Sequence, residues 1–296
     1  MRITVTGAGG FIGRRLVERL RAGGHALRVL GRKPAGGLPF FFWEALGENL
    51  PPEVSLRDAD AVIHLAGEPV AQRWTREARR RIRLSRVEGT RRLVEALGRL
   101  PRRPAVLVCA SAIGIYGSRG EEILTESAPP GAGFLAQVCV DWEQTATDAE
   151  ALGLRVVRLR TGMVLGREGG ALARLLLPFK AGLGGRLGDG RQWMSWIHRD
   201  DLVELIRFAV EEPALRGAVN AVAPAPVTNA EFTRQLAAAL RRPALLPAPA
   251  FALRAVFGEM ASVLLGSQRV LPEAAQAAGF VFAYPELAGA LRRLLG

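Results

Sequence analysis

Three glycines near the amino terminus, Gly7, Gly10 and Gly13, have the spacing G-x-x-G-x-x-G. They follow an alternating, β-rich segment at residues 2–6 and precede apolar residues that recur at helical spacing. At such a junction the first glycine permits a sharp turn, the second lets the backbone approach a pyrophosphate, and the third lets the helix pack close to the strand. The helix amino terminus adds free N–H groups and a positive dipole. We therefore predict a dinucleotide site that includes Gly7, Gly9, Gly10, Phe11, Ile12 and Gly13.

The residues after the second predicted strand, at 26–30, indicate which dinucleotide binds. An acidic residue at this point would bind the ribose 2′-hydroxyl of NAD. This chain instead has Gly31, Arg32 and Lys33. A guanidinium forms planar, charge-assisted contacts with a phosphate, and the lysine adds charge. We therefore predict NADP(H) as the cofactor and assign these three residues to its site, although a plain surface position would also explain Arg32.

A fourth predicted strand, at residues 61–65, ends in small residues where the carboxyl ends of parallel strands face the ligand crevice. We expect Ala66 and Gly67 to lie against the cofactor, Glu68 to lie near its ribose or nicotinamide, and Arg73 to meet a phosphate. A surface loop would explain Glu68 equally well. The other residues assigned to the cofactor site are Leu65, Ala110, Arg160, Gly162 and Met163.

Predicted strands and helices alternate along the chain, which indicates an α/β fold with a doubly wound, parallel sheet of the Rossmann type. Further strands are predicted at residues 40–43, 105–110, 155–159 and 218–221, and helices at residues 75–100, 134–152, 200–210, 229–240 and 251–265. The segment 166–190 is rich in glycine and leucine, and prolines alternate with short helices after residue 223. We divide the chain into a dinucleotide-binding domain, 1–164 and 200–222, and a smaller C-terminal substrate-side region, 165–199 and 223–296.

The composition limits the classes of partner. The cations behind the net charge of +12 are almost all arginines. The runs that they form, such as residues 79–81, are short and helical, which is typical of solvated helix faces and predicts no specific nucleic-acid partner. Two cysteines, Cys109 and Cys139, are too few for a disulfide framework, and no spacing indicates a metal site. The apolar runs are too short for a membrane span. With no signal-peptide pattern, we expect a cytoplasmic protein.

Several motifs together resemble the extended short-chain dehydrogenase/reductase superfamily, of the NAD-dependent epimerase/dehydratase type. These motifs lie at residues 6–13, 64–67, 111–117, 160–162 and 196–202. Within the superfamily the chain is similar, over essentially its whole length, to an atypical group often labelled nucleoside-diphosphate-sugar epimerase-like or cell-division-inhibitor-like, with a C-terminal domain of unknown function. The superfamily often dimerises through the helices that match residues 79–97 and 134–152, so the resemblance is compatible with a homodimer.

The resemblance also implies a catalytic group that this chain lacks. The superfamily's Tyr-x-x-x-Lys motif lies on the helix after the fifth strand, where Tyr transfers a proton and Lys lowers its pKa. Alignment at residues 141–143 puts Leu135 and Cys139 in those places, and residues 133–149 contain neither Tyr nor Lys. The remaining catalytic candidates are Ser111, Tyr116 and Cys139. The superfamily's serine aligns with either Ser111 or Ala112, and a small buried residue is the usual role of a cysteine such as Cys139.

A candidate substrate pocket lies near the glycine-rich segment 182–190. Trp193 and Trp196 are close to it in sequence, together with His198. Aromatic rings pack on sugars and other flat groups, so we assign these three residues to the pocket, although a place in the core explains them equally well.

Three interpretations of the function stay open on the sequence alone. The first is an NADP-dependent oxidoreductase or epimerase-like enzyme that acts on a small molecule with other donors, for which Glu68, Asp141 and His198 are additional candidates. The second is hydride transfer with a bound water as the only acid, because the cofactor carries the difficult step. The third is a catalytically silent NADP(H)-binding regulator or sensor.

Overall fold

Seven parallel strands form the central sheet of the computed structural model, which describes residues 1–296. In chain order they are β1 (Arg2–Thr6), β2 (Ala26–Gly31), β3 (Phe40–Phe42), β4 (Ala61–His64), β5 (Val106–Ala112), β6 (Arg155–Thr161) and β7 (Gly217–Ala221). Their order across the sheet is β7-β6-β5-β4-β1-β2-β3. The predicted doubly wound sheet is therefore confirmed. The strand order reverses between β1 and β4, which is where such sheets bind ligands.

The helices are α1 (Phe11–Ala22), α2 (Glu53–Leu56), α3 (Arg76–Gly98), α4 (Phe134–Thr147), α5 (Gly170–Lys180), α6 (Arg199–Glu211), α7 (Asn229–Leu240), α8 (Ala250–Phe257), α9 (Ala261–Leu265), α10 (Glu273–Ala277) and α11 (Leu287–Leu295). Successive side chains of a strand point to opposite faces of the sheet. Ile63 therefore joins the core under α1 and α6, whereas Val62 joins the core under α3 and α4. None of the helices combines the length and the apolar composition that a membrane span requires.

A separate apolar core lies on the substrate side, where α5, α7 and α11 pack around Trp196. Short strands pair near it: Met163–Gly166 with Trp196–His198, Trp193–Met194 with Val227–Thr228, and Ile123–Leu124 with Arg269–Val270. Not all of the C-terminal part belongs to this core, because Ala275 of α10 and Phe282 pack into the core under α1 and α6. The exact division into residues 1–164 with 200–222 and 165–199 with 223–296 stays a prediction.

Two predicted helices have different ends in the structure. The helix predicted over residues 251–265 is divided into α8 and α9, because Gly258 between them has a φ of +61°, a left-handed conformation that interrupts a helix. The helix predicted over residues 134–152 changes after Thr147 into a 3₁₀ turn that ends at Gly153, with a φ of +85°. The sequence patterns did not indicate α5, α11 or the short paired strands.

Candidate functional site

The turn between β1 and α1 has room only for glycine at two positions. Gly7 has a φ of +72°, and a Cβ atom there would lie 2.8 Å from the carbonyl carbon of Leu65. A Cβ atom at Gly13 would lie 2.2 Å from the carbonyl oxygen of Gly7. By contrast, nothing lies within 4 Å of a Cβ atom placed on Gly9. The turn is thus closed on its protein side and open at Gly9.

The amino terminus of α1 is suited to an anion. Gly10 is the N-cap residue, so no side chain caps the first N–H groups, and the first turn contains no acidic residue. The N–H of Gly10 donates to the carbonyl oxygen of Gly7 over 3.0 Å, which fixes the shape of the turn. The helix dipole and the uncapped N–H groups can therefore act on a phosphate without competition from a carboxylate.

Thr6 joins the glycine turn to the loop after β4. Its Oγ1 accepts hydrogen bonds of 3.1 Å from the N–H groups of both Leu65 and Ala66, and it lies 2.7 Å from Nδ1 of His64. Because Oγ1 already accepts twice, its own proton is directed to Nδ1, which leaves the imidazole neutral with its proton on Nε2. Burial lowers the pKa of His64 to about 4, which agrees with a neutral ring. Thr6, whose hydroxyl is oriented by His64, therefore holds the loop in place from within the core.

The cations predicted to select NADP(H) lie at the surface after β2. Arg32 and Lys33 are both exposed. The nearest acidic partner of Arg32 is Glu44, with 3.9 Å between Nη1 and Oε1. This separation is too long for a hydrogen bond. The guanidinium of Arg32 is consequently available to a ligand.

The carboxylate of Glu68 is held by hydrogen bonds from neighbouring side chains. Its side chain accepts hydrogen bonds of 3.3 Å each from Gln72 and Arg81, and its N–H donates to Oγ of Ser85. Burial alone would raise the pKa of Glu68, but these hydrogen bonds and the charges of Arg81 and Arg32 lower it. Glu68 is therefore an anion near Arg32, and its protonation state does not suit a general acid at neutral pH.

The ring of Phe11, the first residue of α1, connects the turn with the substrate side. Cβ atoms at Gly166, Gly169 and Gly170 would lie 2.5, 2.6 and 3.0 Å from this ring, so the three glycines leave the space that it fills. The guanidinium of Arg199 lies 5.2 Å from the ring centroid. The glycine-rich composition of this segment was visible in the sequence, but its contact with Phe11 was not.

Three residues assigned to the cofactor or the catalytic group lie together in a buried network at the carboxyl ends of β5 and β6. Oγ of Ser111 donates to Oε1 of Glu143 over 2.6 Å. Arg160 donates from Nε and Nη2 to the same carboxylate, over 2.9 Å each, and from Nη1 to the hydroxyl of Tyr116. That hydroxyl donates to Oδ1 of Asn220 over 2.7 Å. Ser111, Tyr116 and Arg160 are therefore bound to other side chains, so Arg160 has partners within the protein where the sequence predicts a cofactor contact.

The titration behaviour of the catalytic candidates agrees with this placement. Burial raises the pKa of Tyr116, although Arg160 beside it acts in the opposite direction. Burial also raises the pKa of Cys139 to about 12, so its thiol is not ionised at neutral pH. Neither side chain is suited to donate or accept a proton at neutral pH in this environment.

The positions at which the resemblance places Tyr and Lys are apolar. The side chain of Leu135 lies beside Gly114, since its Cβ is 3.6 Å from a Cβ atom placed on that glycine. Cys139, one turn further along α4, is buried. The wall formed by the start of α4 thus offers no proton donor where the superfamily has its tyrosine.

Two of the three residues assigned to the substrate pocket are core residues. Trp196 is fully buried, and its Nε1 donates to the carbonyl oxygen of Ala225 over 3.0 Å. His198 is buried, caps α6 by accepting from the N–H of Asp200, and packs on the ring of Tyr284. These contacts correct the assignment of Trp196 and His198 to the pocket, whereas that of Trp193 stays a prediction. Trp193 is half-buried and donates to Glu121 over 2.8 Å.

Other assigned positions have structural partners. A Cβ atom at Gly162 would lie 2.6 Å from the carbonyl oxygen of Ser195, to which the N–H of Met163 donates over 2.9 Å. Gly162 therefore permits a close backbone approach within the protein. Arg73 is exposed and lies against Gly258 between α8 and α9. Ala110 is half-buried near the end of β5.

A parallel, doubly wound sheet with this glycine turn and this uncapped helix defines a dinucleotide-binding fold of the short-chain dehydrogenase/reductase type. Residues 3–221 match the NAD dependent epimerase/dehydratase family, and residues 248–294 match the domain of unknown function DUF1731. The chain therefore belongs to the NAD dependent epimerase/dehydratase family.

Three similar proteins illustrate this membership. The chloroplastic epimerase family protein SDR39U1 homolog of Arabidopsis thaliana is 43% identical over 305 residues, covering 100% of this chain and 87% of the relative. The crystal structure of human epimerase family protein SDR39U1 (isoform 2) with NADPH superposes with a TM-score of 0.89 at 36% identity, covering 100% of this chain and 99% of that chain. The nucleoside-diphosphate sugar epimerase from Corynebacterium glutamicum gives a TM-score of 0.83 at 35% identity, covering 100% of this chain and 58% of that chain.

Proposed function

We propose that this protein binds NADP(H) along the carboxyl edge of its sheet. The observation that carries the proposal is the pair formed by the open glycine turn and the exposed, weakly paired Arg32. The structure of the human relative contains NADPH, which supports the same cofactor here. The residues fit the group, because Gly9 leaves free space, α1 has no acid in its first turn, and no acidic residue directly follows β2.

Specific parts of the site would hold specific parts of the cofactor. Backbone N–H groups at Phe11 and Ile12 would bind the pyrophosphate, and Arg32 with Lys33 would bind the 2′-phosphate. The loop after β4 would lie against the cofactor through Leu65, Ala66, Gly67 and Glu68. The proposed site also includes Gly31, Ala110 and Met163.

For the reaction we propose hydride transfer with a small-molecule substrate, as in an oxidoreductase or an epimerase-like enzyme. The bound cofactor supplies or accepts the hydride. The chain itself would bind and orient both molecules and exclude bulk water. Because Leu135 and Cys139 replace the proton-transfer pair, the proton would come from a bound water or from the substrate.

A second candidate function is a catalytically silent NADP(H)-binding regulator or sensor. The observation that favours it is the buried state of Ser111, Tyr116 and Cys139, which leaves none of these groups free for a substrate. A screen that follows NADPH oxidation with carbonyl compounds separates the two candidates. Turnover by the wild type that disappears in a variant with weakened NADPH affinity supports the enzyme. NADPH binding without turnover of any compound in the screen supports the regulator.

The proposal extends to the setting of the protein. We propose a cytoplasmic location, a small-molecule substrate and no nucleic-acid partner. We also propose a homodimer through α3 and α4, which pack side by side, because the superfamily often dimerises through the matching helices. Light scattering tests the dimer directly.

The first experiment is a calorimetric titration of purified, cofactor-stripped protein with NADPH and NADH in parallel. We expect tight binding of NADPH and much weaker binding of NADH, since only NADPH offers a 2′-phosphate to Arg32. Equal affinities would remove the role proposed for Arg32. Binding of neither would overturn the cofactor site and, with it, the proposed hydride transfer.

A further inference from the structure

Arg86 of α3 lies between the loop after β4 and helix α4. Its guanidinium carbon is 3.4 Å from a Cβ atom placed on Gly67, and it lies 5.2 Å from the centroid of the Trp142 ring. Nη1 donates to the carbonyl oxygens of Glu68, over 2.9 Å, and of Ile82, over 3.3 Å. The guanidinium is thus fixed in orientation beside the exposed backbone of Gly67.

One edge of this guanidinium is free. Nε and Nη2 of Arg86 make no hydrogen bond in the protein, and no carboxylate lies within 4.0 Å of the side chain. Neither nitrogen belongs to the fully buried polar atoms that lack a partner, so both reach solvent. Nε–H and Nη2–H point in parallel and form the fork that binds the two oxygens of a carboxylate.

Two other arginines of this chain show how that fork is used. Nε and Nη2 of Arg160 bind Glu143, over 2.9 Å each. The same atoms of Arg15 bind Asp200, over 2.7 and 3.1 Å. Arg86 presents the same pair of donors without an acid of the protein opposite them.

The surroundings of Arg86 favour an anion. Burial lowers its pKa, but a guanidinium keeps its charge at neutral pH, so desolvation without a counter-ion is unfavourable. Its charge also acts on the thiol of Cys139, where it opposes the effect of burial on the pKa. The guanidinium of Arg86 is therefore near Cys139, the position at which the resemblance places the superfamily's lysine.

We propose that the free edge of Arg86 binds a carboxylate of the substrate, so that the substrate is a small organic acid. The inference rests on the proposed function, because it places the acid in the same cleft as NADP(H). The carboxylate would take the place that Glu143 and Asp200 occupy on Arg160 and Arg15. Arg86 would thereby fix the substrate and select against neutral analogues.

The test uses malonate, with neutral malonamide as its matched analogue and inorganic phosphate as a second anion. Each is added to the NADP⁺-loaded protein, and the midpoint of thermal unfolding and the calorimetric heat are measured. The variants are R86Q, which removes the charge, and R83Q as the control. Arg83 lies on the same helix, but its Nη2 already binds Asp141 over 2.8 Å.

We expect malonate to raise the midpoint of the wild type and of R83Q by a few degrees, and malonamide to have no such effect. R86Q should lose this shift and keep its affinity for NADP⁺. R86K, which retains the charge without the fork, should bind malonate about tenfold more weakly, and it serves as the test if R86Q does not fold.

Three outcomes would overturn the proposal. The first is the absence of a malonate effect that depends on Arg86: malonate raises the unfolding midpoint of wild type and R86Q equally, or it does not raise that of the wild type at all. The second is phosphate binding as tight as malonate binding, which would contradict a carboxylate ligand. The third is a tenfold loss of NADP⁺ affinity in R86Q, which would make Arg86 a cofactor ligand. If the wild type fails to bind NADP⁺, only the proposed function fails, and the same titration of the cofactor-free protein still decides the role of Arg86.

Discussion

The carboxylate of Glu143 and the guanidinium of Arg160 form two parallel hydrogen bonds of 2.9 Å, and both side chains are buried. The pair lies on α4 and β6, and Arg160 also donates to the carbonyl oxygen of Glu126 over 3.1 Å. It therefore joins α4 to the carboxyl end of β6, at the edge of the sheet where we propose that the reaction takes place.

Glu143→Gln should destabilise the protein strongly, because it leaves the charge of Arg160 buried without a counter-ion. Removal of one partner from a buried pair costs about 3–5 kcal/mol in free energy of unfolding. Denaturant unfolding measures the loss. Asp141→Asn is the matched control on the same helix, since its partner Arg83 is about half exposed, and we expect a loss below about 1 kcal/mol. Similar losses in free energy of unfolding for both variants would show that the buried pair stabilises the protein no more than the exposed one.

Arg32→Glu should weaken NADPH binding by about 1.5–3 kcal/mol, the scale of a lost charged hydrogen bond, and should change NADH binding little. Parallel calorimetric titrations measure both affinities. Arg216→Glu is the control, because it changes the net charge equally from the exposed segment just before β7, at the opposite end of the strands. Equal losses for NADPH and NADH would contradict a contact between Arg32 and the 2′-phosphate.

Two glycines of the same turn should respond differently to alanine. Gly13→Ala brings a Cβ atom to 2.2 Å from the carbonyl oxygen of Gly7, so it should lower stability by about 1–3 kcal/mol and reduce NADPH affinity. Gly9→Ala meets no protein atom within 4 Å, so the midpoint of thermal unfolding should stay unchanged while NADPH affinity falls. Thermal unfolding and calorimetry on both variants check the pair. Unchanged affinity in Gly9→Ala would show that the open side of the turn does not meet the ligand.

The sequence was sufficient to predict the sheet because buried parallel strands are short apolar runs, such as Val106–Ala112, between turn residues. It also located the glycine turn, whose function depends on local spacing. It could not place Glu143 or Asn220, since these residues meet Arg160 and Tyr116 only through tertiary packing.

The assignment of Trp196 and His198 to a pocket was wrong because local patterns do not show distant strand pairing. Trp196 lies on a short strand whose partner, Met163–Gly166, is more than thirty residues away in the chain, and no local pattern showed this pairing. Local periodicity also failed for α5, which begins after a glycine with no side-chain cap and contains Pro178.

Cys139 should react very slowly with iodoacetamide in the native protein at neutral pH. Burial raises its pKa to about 12, and alkylation needs the thiolate. Cys109 should behave alike, since burial raises its pKa to about 12 as well. Mass spectrometry before and after denaturation counts the modified thiols. Rapid labelling of Cys139 in the folded state would contradict its burial and restore it as a catalytic candidate.

The stability of the protein should decrease as the pH falls below about 6.5. Burial lowers the pKa of both His64 and His198 to about 4, whereas the unfolded chain has the ordinary value of about 6.5. The unfolded state therefore binds protons first, so the stabilisation is complete above pH 6.5 and is lost as the pH falls toward 4.

Each histidine should contribute a loss of about 2 kcal/mol between pH 7 and pH 5. Denaturant unfolding at these two values measures the sum, and His198→Asn, which keeps an acceptor for the N–H of Asp200, should remove about half of the pH dependence. A free energy of unfolding that is the same at pH 7 and pH 5 would mean that both imidazoles are charged, or free to become charged, in the folded state.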